Sequence, residues 1–414
     1  MRTNPLAVLS ALCIASTAFA GPLSPPAGPV ASTPGPEPRT AINATNTPGD
    51  ADSVFRISQP GSYYLTANVI GQTGKSGIEI AANDVTLDLN GFTVDGQNIV
   101  GALSGIVVDG VLDNTVVRNG RVVRWPGSGI NIDGPGFDPG RRVENIIARS
   151  NGPIGINAGD SASIIDCSVL ENAGSGIVSS SSSVIRGCTA RSNAASGISA
   201  GIGGSIENSV ARTNGGPGFI VGTAITMLNC SSIENAGVGI SAGGSSLISL
   251  CTAHDNDGGG ISVSTGVTVQ SCVAGNNTGA GFTITTGCLL TDSTAFNNTA
   301  QGALVTGTGA SVRNNTFRSN AIGGVFANIA VSGNDCRIEG NTCTGADFGV
   351  QVTGTRNLII ANSSAGAQVN NWDFAANNIY GPIVDRSAVA TAAVAGNSAA
   401  STTGTTDPHA NITH

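Results

Sequence analysis

Asn193-Ala194-Ala195-Ser196-Gly197-Ile198, Asn214-Gly215-Gly216-Pro217-Gly218-Phe219, Asn235-Ala236-Gly237-Val238-Gly239-Ile240 and Asn256-Asp257-Gly258-Gly259-Gly260-Ile261 are four versions of one hexad, 21 residues apart. The phase runs outward in both directions. Asn151 and Asn172 precede it and Asn277 and Asn298 follow it at the same interval, and Asn320 comes after 22. Four residues beyond each Asn of the regular series stands a Gly with an apolar partner. Gly155-Ile156 and Gly176-Ile177 open that series and Gly281-Phe282 closes it. Five residues before each Asn runs a third column: Ile146, Cys167, Cys188, Ser209, Cys230, Cys251, Cys272 and Ser293. Three columns in phase define a repeat, and a period of this size belongs to a solenoid or an array.

The composition selects among solenoids. The columns of Leu that mark leucine-rich repeats are missing, and propeller blades are about twice as long. Fifty-nine glycines and many β-branched residues oppose helical repeats, because each Gly costs a helix about 1 kcal/mol relative to Ala. An all-β, right-handed parallel β-helix fits, with three short strands and three turns in each coil of about 21 residues. Coils stacked at about 4.8 Å place equivalent residues in ladders. The Ile column is then the core, and the Asn column can pair amide to amide. The Gly before each Ile is expected to supply a tight or left-handed turn.

The pattern loosens at both ends. Gly77-Ile78, Gly105-Ile106 and Gly129-Ile130 read as the same turn with longer loops. Downstream, Asn341-Thr342-Cys343 aligns with Asn315-Thr316-Phe317, and Gly349-Val350 follows Gly324-Val325 by 25, so that coil carries an insertion. Some 13 coils between about residues 76 and 362 would make a rod of about 60 Å.

Residues 1–20 read as a secretory signal: Arg2, an apolar core from Leu6 to Ala18, and Ala18-Phe19-Ala20 as a small-x-small cleavage site. Leu12 before Cys13 departs from the lipoprotein pattern. No other run is apolar enough to span a bilayer, so the mature chain is expected to be secreted, periplasmic or at the cell surface. Residues 21–50, rich in Pro, Gly and Thr, read as a linker. Residues 51–75 are expected to cap the first coil, 76–365 to form the β-helix, 366–386 to close it, and 387–414 to be a low-complexity tail. A net charge of −8, a single lysine (Lys75) and no basic run argue against nucleic acid as a partner.

Val85-Thr86-Leu87-Asp88-Leu89-Asn90-Gly91-Phe92-Thr93-Val94 resembles the opening coil of the right-handed β-helix repeat families of bacterial exported proteins, related in architecture to pectate lyases. Asn114-Thr115-Val116-Val117-Arg118-Asn119-Gly120 resembles their second coil, and Asp407-Pro408-His409-Ala410-Asn411 is similar to a closing segment in which an aromatic usually stands at the place of His409. The resemblance covers roughly residues 52–386. It implies the fold and leaves the activity open among polysaccharide lyases, glycoside hydrolases, adhesins and surface proteins.

A lyase of this architecture needs a calcium-binding carboxylate cluster and an Arg or Lys base. The outward row beside the Gly-Ile strands reads Asn131, Asn157, Val178, Ser199, Ile220, Ser241, Ser262, Thr283, Leu304 and Phe326, with neither. The strongest departure from the repeat is His254-Asp255-Asn256-Asp257. Glu234 lies one coil before Asp255, so these carboxylates could share a proton or hold calcium, with His254 beside the ion. Such residues are catalytic or metal candidates, and a solvated turn is the plainer reading. Arg118, Arg121, Arg124 and Trp125 form a second candidate, for an acidic polysaccharide: guanidinium forks carboxylate and indole stacks on a sugar ring. The plainer reading there is arginines paired with Asp109, Asp113 or Asp133 and a Trp packing a loop. The eight cysteines after the signal are expected as free, buried thiols, because ladder neighbours point the same way and disulfides need converging ones. Three functions follow: a polysaccharide-binding surface protein, which the absence of a catalytic constellation favours, a lyase or hydrolase, or a structural or adhesive rod.

Overall fold

The computed structural model describes residues 39–97, 99–134, 140–321, 323, 325–385 and 405–414. The expected signal, residues 21–38 of the linker and residues 386–404 lie outside the described residues. Every regular element described is a strand, as β-branched residues between Gly- and Ser-rich turns require.

Each coil contributes one strand to a first face, such as Ile198–Ala200, and two strands that meet at a bend to a second and a third face, such as Ser205–Glu207 and Val210–Arg212. The first face is a fifteen-stranded parallel sheet from Ser53–Ile57 to Asn370–Phe374, and the other two form a thirty-stranded sheet. The register is the one the columns dictate: Ile177 pairs with Ile198, then Phe219, Ile240, Ile261 and Phe282 in turn. All six are buried to within 1 %. Thirteen first-face strands lie between Ser76–Ile80 and Phe348–Val352 inclusive.

The Asn column is a closed hydrogen-bond ladder in the core. Asn214 Oδ1 accepts from both the backbone N–H and the Nδ2 of Asn193, at 3.1 and 3.0 Å. Its own Nδ2 donates to Ala190 O and to Asn235 Oδ1, at 3.1 and 2.9 Å. Each amide thus satisfies itself and one backbone N–H of the coil before, which is how a fully buried polar side chain avoids its desolvation cost. The residue before each Asn makes the turn: Ser192, Thr213, Glu234, Asp255, Asn276 and Asn297 have φ of 52–55°.

The glycines serve a different purpose from the one expected. Gly176, Gly197, Gly218, Gly239 and Gly260 do not take a left-handed φ. A Cβ on Gly197 would meet the Nδ2 of Asn214 and the carbonyl oxygen of Gly218, both at 2.7 Å. Glycine stands there for space, so that the ladder amide and the next coil can close in.

Five cysteines, Cys167, Cys188, Cys230, Cys251 and Cys272, sit at the bend between the second and third faces, where the same geometry recurs. Cys188 Sγ points to Ile164 O and Arg186 O at 3.5 and 3.4 Å. Ser209 and Ser293 fill the same position, and from Asn315 the column becomes a second amide ladder through Asn341, Asn362 and Asn411. All eight described cysteines are buried and unpaired.

Four expectations are corrected. Residues 51–75 do not fold over the end as a cap: Ser53–Ile57 pairs in parallel with Ser76–Ile80 as a coil of the helix. The preceding segment covers it, through Thr40–Ala41 on Tyr63–Tyr64. Residues 366–386 likewise supply a coil strand, Asn370–Phe374 on Phe348–Val352. The end of the expected tail is ordered, because Asn411–Thr413 inserts between Ser363–Ala365 and Ile383–Asp385. The extra residues of the inserted coil precede its strand, so Ile329 pairs with Ala303 and Val350, and Ala330 rather than Phe326 continues the outward row after Leu304.

Candidate functional site

The arginine cluster lies on Val116–Val123, an eight-residue strand that runs through the bend with Asn119 at φ 59°. Alternation turns Val117 and Val122 inward and leaves Arg118 and Arg121 outside. Arg118 is neutralised by Asp88 at 3.2 Å, which also pairs with Arg39. Arg124 pairs with Asp95. Burial pushes the Asp95 carboxyl up, but the Arg124 hydrogen bond, the Gln97 N–H and the Arg124 charge outweigh it and leave the group below its usual range. Trp125 is corrected as a binding residue. It is 1 % exposed and its Nε1 donates to Val94 O at 3.1 Å, so it has no face to offer a sugar. Farther along, Arg142 pairs with Glu144, Arg149 with Glu171, and buried Arg141 lies 3.7 Å from Asp133. Burial lowers the pKa of Arg141 from the ordinary guanidinium value.

Arg121 differs. It is exposed, its guanidinium donates to Gly91 O at 3.3 Å, and among the described residues it has no carboxylate partner. It lines a surface groove of about 290 Å³ with Gly91, Asn119, Gly120, Asn145 and Ile147. Glycine is required at 120, where a Cβ would lie 2.4 Å from that of Leu89. One wall is an amide pair, Asn145 Nδ2 donating to Asn119 Oδ1 at 3.0 Å.

The carboxylates around His254 are drawn to separate partners. Glu234 turns to Arg212 at 3.0 Å, and the Asp255 carboxylate accepts from His254 Nδ1 at 2.6 Å. Asp257 is exposed, and its backbone N–H donates to Asn235 O. Among the described residues, one group of three ligand-bearing side chains converges within 4.8 Å, and it is Asp50, Asp52 and Glu79. Glu234 and Asp255 stand on left-handed turns one coil apart, are exposed, and are held by separate partners.

Sequence reasoning missed the Asp50 group. Arg56 and Glu79 are register partners on the first face, and Arg56 also reaches Asp50 and Asp109, at 3.2 and 2.8 Å. The Ser53 hydroxyl and nearby N–H groups hold the Asp50 carboxyl well below the usual range. Burial pushes Glu79 up while Arg56 pulls it down. A groove of about 240 Å³ adjoins Asp52, Glu79 and Asp109. Spacings of 23 and 30 residues hid this group from a 21-residue pattern, although the pairing Arg56-x-x…Glu79 was readable once the coil at 53 was placed.

Comparison with known proteins places the fold. No curated protein matches the chain in sequence. Among solved structures, the chain is similar to the A-module of a mannuronan C-5 epimerase of Azotobacter vinelandii, with 16 % identity, 78 % of this chain and 91 % of that one covered, and a TM-score of 0.48. It is similar to a periplasmic alginate epimerase at 12 % identity over 81 % and 83 %, TM-score 0.41. It is also similar to a surface adhesin of Streptococcus pneumoniae at 9 % identity over 68 % and 84 %, TM-score 0.35. The model of the right-handed β-helix region matches residues 57–223 and 182–322. With most of its coils matched, the chain belongs to the right-handed β-helix family.

Proposed function

We propose that this chain is an exported, carbohydrate-binding β-helix protein of the cell surface or periplasm, acting by binding rather than by bond cleavage. The groove at Arg121 carries the reading. It combines an exposed guanidinium without a carboxylate partner among the described residues, a fixed amide pair and a glycine floor. Amides and a guanidinium match sugar hydroxyls and carboxylates, and all three stand on paired strands, which hold them in place. Among the described residues no helix is long and apolar enough to cross a membrane. The expected signal supports export and the epimerase and adhesin likenesses add no more than the fold.

Purified protein run against immobilised acidic and neutral polysaccharides, with unsaturated products and reducing ends monitored together, tests the reading. Retention without new ends is expected, weakened by Arg121→Ala. New reducing ends would establish a lyase or hydrolase instead, and retention on no polymer would leave a structural rod.

A further inference from the structure

The third face carries a feature the repeat does not require. Its register column runs Arg212, Ile233, His254, Gly275, Phe296, Arg318. Gly275 leaves a gap, and the Phe296 ring leans into it: a Cβ at 275 would lie 2.5 Å from the Phe296 Cζ. That lean brings the ring centroid within 5.8 Å of the His254 ring, although two strand spacings separate their backbones. On the other side the Arg318 guanidinium sits over the same ring, 5.7 Å from its centroid. Three of four successive coils of this column thus present three planar groups in contact, two of them able to donate hydrogen bonds.

Arg318 is exposed, and among the described residues it has neither an ion-pair partner nor a side-chain hydrogen bond. Arg212, in the same column, is already bound by Glu234. Stacking on an aromatic face steadies a guanidinium without using its in-plane N–H donors, so Arg318 keeps its fork free. At the opposite end, the Asp255 carboxylate orients His254 through Nδ1, and Nε2 lies 3.4 Å from the Asn276 amide nitrogen. Cation, apolar edge and polar pair are set in line along the helix axis, over about three strand spacings, or about 14 Å.

We infer that Arg318, Phe296 and His254 form a binding subsite for an acidic polysaccharide, specifically for a uronic acid residue, separate from the groove at Arg121. The inference rests on the carbohydrate reading and names the sugar class. Arg318 takes the carboxylate bidentately, Phe296 meets the C–H surface of the ring, and His254 with Asn276 meets hydroxyls of the next sugar. A neutral glycan would leave the guanidinium unmatched. A nucleic acid backbone would need several clustered cations, and here one stands alone. The net charge of −8 opposes a polyanion at long range, but screening over about 8 Å at physiological salt leaves the local contact in control.

Polygalacturonate and its carboxyl-reduced, neutral counterpart are the probes, in affinity electrophoresis of the full chain at about 0.15 M salt. The parent is expected to be retarded more by the acidic polymer. Arg318→Ala is expected to weaken that interaction about tenfold, the scale of one charge-assisted contact, and to abolish the preference for the acidic polymer. Arg318→Lys restores the charge but only part of the affinity, because the fork is lost. Melting curves matching the parent's would exclude misfolding, which an exposed side chain gives no reason to expect. Parent-like binding by Arg318→Ala overturns the inference. If Arg121→Ala loses binding and Arg318→Ala does not, the inference fails and the groove stands. The reverse result removes the groove and keeps the inference. A parent held by neither polymer overturns both.

Discussion

Asn214→Ala removes one rung from the amide ladder and touches nothing on the surface. Four hydrogen bonds go with the side chain. The Asn193 N–H loses its side-chain acceptor inside the core, and a buried orphan of this kind costs about 1–3 kcal/mol. Asn193 Nδ2, Ala190 O and Asn235 Oδ1 each lose one of their partners. Asn193 Nδ2 keeps Val169 O and Asn235 Oδ1 keeps the Asn214 N–H, so these losses add about 0.5 kcal/mol each. The sum is about 3–4 kcal/mol, before any penalty for the space left behind. Asn229→Ala is the surface control: it removes an exposed amide contact to Asn208 at 2.7 Å from a left-handed position, φ 51°, and should cost about 1 kcal/mol, chiefly because alanine is less at ease there. Urea unfolding followed by far-ultraviolet circular dichroism reads both variants. A solenoid can unfold in parts, so hydrogen exchange at Asn193 N–H supplies a local reading, with protection lost there first. A loss below about 1 kcal/mol for Asn214→Ala, or an equal loss in the control, would refute the view that the ladder holds the coils in register.

Four further outcomes follow from the same geometry. Cys272→Ser should change stability by less than about 1 kcal/mol, because Ser209 and Ser293 already occupy that column, whereas Cys272→Val, which removes the donor to Ile248 O and Gln270 O, should destabilise measurably by thermal melting. Native thiol labelling should leave all eight buried cysteines unmodified until urea is added, since burial raises the pKa of Cys336 and of Cys343. Asp95→Asn should cost about 1 kcal/mol at pH 7, a value discounted for the half-exposed Arg124. The folded Asp95 carboxyl is held below its unfolded value, so its stabilisation is present above about pH 3.9 and is lost as pH falls through the folded pKa. The parent and variant melting temperatures should therefore converge in acid, and a constant gap at all pH values would contradict the assignment. Deleting residues 405–414 should expose Trp372, whose Nε1 donates to Thr413 Oγ1 at 2.8 Å, and should strip Asn362 of its ladder partner. A red-shifted, more quenchable emission is expected, and an unchanged spectrum would mean the terminal strand does not seat there.

The coils were legible because the chain spends one Asn, one Gly and one Ile per turn at fixed spacing. Interior register then follows from strand pairing alone. What the columns could not reveal is why a residue is small. Gly197 reads as a flexible turn in sequence, and only the approach of Asn214 and Gly218 makes it a spacing requirement. Ladder membership survived one insertion, which the matching Asn-Thr strings at 315 and 341 made legible, and escaped only at the far end. Asn341 pairs with Asn315 after 26 residues as aligned, whereas Asn411 joins Asn362 after 49, a step no spacing announced. The candidate sites divide in the same way. Arg121 and Asp255 both stand exposed, Arg121 on a strand and Asp255 at a left-handed turn. The burial of Trp125, the pairing of Arg118 with Asp88, and the convergence of Asp50, Asp52 and Glu79 depend on contacts between coils of unequal length.

Distance along the solenoid axis tests the register most directly. Thr189 and Thr316 are exposed members of one third-face column, linked through Val210, Ser231, Thr252, Val273 and Thr294. They are six coils apart, so spin labels at these positions should be separated by about 29 Å, with the buried native thiols left unlabelled. A narrow distribution centred there is the predicted result of double electron–electron resonance. A distribution displaced by a full strand spacing, or one broad enough to span several, would contradict a β-helix that rises one strand for each turn of the repeat.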